Sequence, residues 1–237
     1  MSIISSGLFN KNDFISIIKF SNYNVYYNSN REYEPKYYTL ITLLHEFCTE
    51  SLDYGNNGIW KLKITSIDID TFNKHFIGAW GNRSNNYSDF VLIDYILNAI
   101  KYIQDNRQIS LTCNESIKYL SDFVEFVFNN SNPWPTLIYF SKFVSTFLPD
   151  LAIPFDTASL SKIAREYKIN GDTKDLIDYI NIHSNLKKDL LGFLKTYSMT
   201  IADLKELDDN SLIGKKQLFK LNQTPLNRPI DKIYYSV

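Results

Sequence analysis

Apolar residues recur at helical spacing along most of this chain. Between Asp89 and Asp105 the period runs through Phe90, Ile93, Leu97 and Ile100. Between Asn114 and Phe128, Ile117, Leu120, Phe123, Val124 and Val127 fall on one face and are expected to point inward. Nearer the N-terminus, Lys36 to Leu52 places Leu40, Leu43, Leu44 and Phe47 at the same spacing, before turn residues from Asp53 to Gly58. Asp13 to Phe20 reads as a short helix behind a cap at Asn12 or Asp13, and Tyr23 to Tyr38 as a loop. One stretch alternates instead: Trp60, Leu62 and Ile64 oppose Lys61, Lys63 and Thr65, which predicts a half-exposed strand over Trp60 to Ile69. A lone strand leaves its backbone unpaired, so a small β hairpin or ribbon is expected there. Gly78 to Ser88 reads as a loop.

From Asn132 onward the punctuation is sharper. Pro133 and Pro135 suit the first turn of a helix that runs to about Leu148, and Pro149 stops it. Ile153 and Pro154 read as extended, Asp156 takes an N-cap position, and Thr157 to Lys168 forms a helix closed by Asn170 and Gly171. Asp175 to Tyr197 reads as two helices joined near His183. No repeat, low-complexity tract or linker divides the chain, so residues 1–237 are expected to form a single, mainly α domain.

Composition narrows the class. The chain of 237 residues is 44% hydrophobic and 15% aromatic, ample for a core, and eight glycines and seven prolines favour long elements over a loop-rich β fold. A net charge of −1 excludes a uniformly basic coat but leaves room for one cationic face. Two cysteines, Cys48 and Cys113, are too few for a disulfide framework, and neither a leader-like N-terminus nor a long apolar run occurs. A cytoplasmic protein without membrane contact is expected. Phosphate-binding glycine loops, dinucleotide fingerprints and HExxH or paired CxxC spacings are missing, so no metal or cofactor is expected. Three histidines on three elements, His45, His75 and His183, give a Ser/His/Asp triad little support, and the His45–Cys48 pair lacks a third ligand.

The segment Ile153-Pro154-Phe155-Asp156-Thr157-Ala158-Ser159-Leu160, continued by Lys162-Ile163-Ala164-Arg165, resembles the motif of the helix-hairpin-helix DNA glycosylases. In that family an extended run delivers a catalytic aspartate to the start of a helix. Ser141-Lys142-Phe143 followed by Leu148-Pro149-Asp150-Leu151 resembles the divergent 8-oxoguanine DNA glycosylase-like branch. The resemblance implies a helical two-lobed fold with a cleft near residues 132–160, and N-glycosidic cleavage of an extruded base by Asp156. Lys142 is the counterpart of the family's Schiff-base lysine but lies closer to the aspartate, inside its helix, so a monofunctional enzyme is expected. Pro133-Trp134-Pro135 stands where the family carries its hairpin glycines.

The chemistry also follows from the residues. A carboxylate at an N-cap accepts backbone N–H bonds at the positive end of the helix dipole. Such an anion at a cleft edge can stabilise the oxocarbenium-like transition state of base excision and orient the attacking water, although an N-cap aspartate can also serve its helix alone. Trp134, Tyr139, Phe140 and Phe155 could sandwich a flipped base; taken singly each reads first as core, with Trp134, held between prolines, the best exception. Lys215, Lys216, Lys220 and Arg228 lie in a cationic stretch, Lys215 to Lys232, suited to DNA phosphates or to a solvated face. The expected partner is double-stranded DNA containing a modified base, met by a monomer, in repair or in defence against phage with modified DNA. Two other readings stay open. One is a metal-dependent restriction or defence nuclease, for which Asp68 and Asp70 after Lys61 and Lys63 form a reversed motif. The other is a non-catalytic, helical nucleic-acid-binding or partner-binding module.

Overall fold

A computed structural model describes residues 76, 89–106, 109–129, 137–167, 176–211, 226, 227 and 230. The helices expected before residue 53, the alternating strand and hairpin over 60–69, the loop over 78–88, the prolines at 133 and 135, and Asn170 and Gly171 lie outside the described residues. Six helices follow in order: α1 Asp89–Asp105, α2 Ser116–Phe128, α3 Leu137–Phe147, α4 Thr157–Tyr167, α5 Leu176–Tyr197 and α6 Ile201–Ser211. The described part is mainly α, and no strand occurs among the described residues. Among them, too, no helix is long and apolar enough to cross a membrane.

Each of α1 to α5 carries buried apolar residues at helical spacing. In α2, Leu120, Phe123, Val124 and Val127 are buried as their spacing predicts, and Ile117 is half-buried. In α1 the buried stripe passes through Ile96, Ala99, Ile100 and Ile103. Leu97, one step round the helix from that stripe, is 46% exposed. The periodic pattern through Leu97 and Ile100 therefore marks the helix and includes one residue of its buried face, Ile100, while Leu97 is exposed. Aromatic rings knit the core: Phe128 meets Phe140 at 5.0 Å and Phe143 at 5.5 Å, and Phe140 meets Tyr179 edge-on at 5.0 Å. α1 and α2 pack on one another, and α5 touches α2, α3 and α4.

Helix ends follow local chemistry. α2 closes on Asn129 in the left-handed conformation, its N–H donating to the Glu125 carbonyl at 2.8 Å. After α3, Pro149 breaks the helix within a tight turn: the Leu151 and Ala152 N–H groups both donate to the Leu148 carbonyl, at 3.0 and 2.8 Å. Residues 152–156 then run without helix or turn to α4.

Two features differ from the sequence reading. Leu176–Tyr197 is one continuous helix of 22 residues, not two joined near His183. The polar run Asn181, His183, Ser184, Asn185 resembles a break, yet Tyr179, Ile182, His183, Leu186 and Leu190 are buried at helical spacing, and that burial outweighs the weak local propensity. α6 was not anticipated. It opens with a reciprocal capping box: the Thr200 N–H donates to the Asp203 carboxylate at 2.6 Å, and the Asp203 N–H donates to Thr200 Oγ1 at 3.2 Å.

Between α5 and α6 the chain turns through Ser198, at φ 51°. Its N–H donates to Lys195, and the Met199 N–H donates back to the Leu194 carbonyl at 2.9 Å, a Schellman closure with Met199 and Leu194 both buried. A side chain in the left-handed region costs about 1 kcal/mol that glycine avoids. Ser198→Gly is therefore expected to raise the melting temperature by roughly 2–4 °C. An unchanged or lower midpoint in thermal denaturation would contradict this.

Candidate functional site

Asp156 stands where the sequence placed it, at the head of α4. Its carbonyl accepts the Leu160 N–H at 2.9 Å, the first bond of the helix, which makes it the N-cap. Asp156 itself is half-buried, whereas the four residues before it, Ala152 to Phe155, are all buried. The chain thus carries an acidic side chain from the core to the surface at a helix N-terminus.

Two side chains hold that path. Ser141, wholly buried in the middle of α3, accepts the Phe155 N–H at 2.8 Å while donating to the Ile138 carbonyl at 2.7 Å. His183, wholly buried in α5, accepts the Ile153 N–H at Nε2 at 2.9 Å. Its Nδ1 lies 2.9 Å from the Tyr179 carbonyl, so the proton resides on Nδ1 and the ring is neutral. Burial lowers its pKa from 6.5 to about 4, against the opposing pull of the Tyr179 carbonyl. Two otherwise stranded backbone donors are thereby satisfied.

The bond from Phe155 to Ser141 brings the middle of α3 alongside the residue before Asp156. The adjacent Lys142 and nearby Tyr139 are half-buried, with the Lys142 ammonium 5.8 Å from the Tyr139 ring centroid. Lys142 also holds the helix locally: its carbonyl accepts the hydroxyls of Ser145 and Thr146, at 3.1 and 2.8 Å.

Phe155 is a correction. It is 1% exposed, with its ring 5.9 Å from both Tyr179 and His183, so it belongs to the core and not to a base-holding surface. Phe140 is likewise core, 1% exposed. Trp134, Lys215, Lys216, Lys220 and Arg228 lie outside the described residues, as do Lys61, Lys63, Asp68 and Asp70 of the nuclease reading.

Behind the site lies a buried polar junction. Asp150, in the turn after α3, is 2% exposed, and its carboxylate receives the ammonium of Lys205 from α6 at 3.0 Å and the Leu226 N–H at 2.7 Å. The Asp150 carbonyl accepts the Leu111 N–H at 2.9 Å, and the Pro149 carbonyl accepts the Asn227 N–H at 3.1 Å. Three distant stretches of chain therefore meet at this turn, six residues before Asp156.

Sequence reasoning missed His183 and Lys205 as supports. A signal for His183 was present: it sits four residues after Tyr179 on the apolar face of α5, where a buried imidazole must find partners for both nitrogens. Lys205 carried none, since its spacing resembles that of a solvated helix face. Among the described residues no three His, Cys, Asp or Glu side chains cluster as a metal site. No protein-family model, curated protein or solved structure matches the chain.

Proposed function

We propose that this protein is a DNA glycosylase that extrudes a modified base and cleaves its N-glycosidic bond with Asp156. The observation that carries the reading is the delivery of Asp156: a half-buried carboxylate at a helix N-terminus, on a path fixed by Ser141 and His183. Excision develops positive charge on the sugar as the base departs. An anion already fixed at the edge of the site stabilises that charge without reorganising, and it can accept a hydrogen bond from the attacking water. The resemblance of residues 141–165 to the helix-hairpin-helix glycosylases supports the same assignment, and with it a two-lobed fold whose cleft lies near residues 132–160.

In this reading Lys142 is a neighbouring cation and not a covalent nucleophile, so the enzyme is monofunctional. Tyr139 and Trp134 remain to hold the extruded base, and Lys215, Lys216, Lys220 and Arg228 to bind phosphates. The divergent motif and missing hairpin glycines favour a specialised target, such as the hypermodified bases of phage DNA.

Mass analysis of DNA incubated with the protein, using damaged, native and glucosylated phage substrates, tests this. A free base and an abasic site are expected from modified DNA. Strand scission that depends on magnesium and leaves no abasic site would establish the nuclease, and binding without turnover on every substrate the non-catalytic module. Borohydride is expected to trap no adduct; a covalent complex lost in Lys142→Ala would overturn the monofunctional assignment.

A further inference from the structure

The segment before Asp156 is held by two acceptors of different chemistry. The Phe155 N–H is bound by the hydroxyl of Ser141, which does not titrate in the ordinary range, and the Ile153 N–H by the unprotonated nitrogen of His183, which does. Both acceptors are wholly buried, and both are on helices distant in sequence, the first 14 and the second 30 residues from the amide it binds.

We propose that Ser141 and His183 are positioning residues for Asp156, and that His183 makes the site acid-sensitive. Protonation at Nε2 turns the acceptor of the Ile153 N–H into a second donor, sets two donors against each other and frees the segment that carries Asp156. The proton comes from solvent, and the Nδ1–H bond to the Tyr179 carbonyl persists in both states.

The surroundings make this response specific. From α5 itself the Tyr179 carbonyl and ring face His183, the ring at 4.3 Å; from the segment, the Ile153 amide and the Phe155 ring do. α3 reaches the same segment through the uncharged Ser141. The titratable group among these is Tyr179, whose phenol burial holds in its neutral form. Asp150 and Asp156 flank the segment, the first paired with Lys205. With the His183 pKa lowered to about 4 by burial, the neutral clamp is intact at pH 7. An opened segment returns the imidazole toward its ordinary value. Opening thus binds a proton and becomes roughly fiftyfold easier between pH 7 and pH 4.5.

The catalytic half of the proposal rests on the reading of Asp156 as the excising group; the clamp does not, and the experiment separates them. Site-resolved amide exchange, corrected for intrinsic rates, is measured on the full chain and on the His183→Gln and Ser141→Ala variants. In the wild type, protection of the Ile153 amide is expected to fall by about fiftyfold from pH 7 to pH 4.5 while staying below that of the α2 core amides, the sign of local opening. Glutamine keeps an acceptor near the Nε2 position but does not titrate, so His183→Gln should remove the acid response. Ser141→Ala should deprotect Phe155 at both pH values and leave the acid response of Ile153 in place. Base release at saturating DNA should be slower by at least about tenfold in Ser141→Ala, with KM little changed. An Ile153 amide that ignores pH, exchanges only with α2, or responds equally in His183→Gln overturns the clamp. The expected exchange pattern with no base release in any variant upholds the clamp and sinks the catalytic reading.

Discussion

Asp156→Asn is expected to leave a folded protein that still binds DNA and no longer releases base. Asp156 is the N-cap of α4, its carbonyl accepting the Leu160 N–H, and the substitution leaves that backbone bond untouched. Asparagine caps a helix nearly as well as aspartate, so stability should change by less than about 1 kcal/mol. The deleted property is the negative charge. If that charge stabilises the developing sugar cation, its loss costs roughly 3 kcal/mol of transition-state stabilisation, at least about a hundredfold in rate. DNA affinity should hold or rise, because an anion no longer opposes the phosphates. Melting temperature, DNA affinity and base release on one preparation check all three. Undiminished base release from folded Asp156→Asn protein would reduce Asp156 to a cap and remove the mechanistic case.

The second large effect concerns stability. Lys205→Ala strands the Asp150 carboxylate in the interior with the Leu226 N–H still bound to it but its counter-charge gone. Removing one partner of a buried pair typically costs about 3–5 kcal/mol, since the remaining charge is left uncompensated. For a chain of this length that lowers the melting temperature by roughly 10 °C. The double variant Asp150→Asn/Lys205→Met is expected to regain most of the loss: it removes both charges, fills the volume of the lysine stem and keeps an oxygen acceptor for the Leu226 N–H. Chemical denaturation of wild type, single and double variants measures this directly. A loss below about 1 kcal/mol in Lys205→Ala would mean the carboxylate finds water, as at an exposed pair.

What could be read along the chain was what short-range chemistry decides. The apolar periods of α1 and α2, the stop at Pro149 and the N-cap at Asp156 each depend on residues within about one turn of one another. The capping box of Thr200 and Asp203 is equally local, three residues apart. The tertiary structure decided the rest. His183 reads locally as a break in a polar run, yet it lies on the buried face of a continuous α5, and its partner is an amide 30 residues away. Phe155 reads as a base-holding aromatic, and becomes core because Tyr179 and His183 cover it. Lys205 reads as a solvated charge, and is buried because Asp150, 55 residues away, lies under α6. In each case the residue type was visible and its partner was not. Burial and pairing are set by which distant faces meet, and those contacts leave no periodic trace in the residues between them.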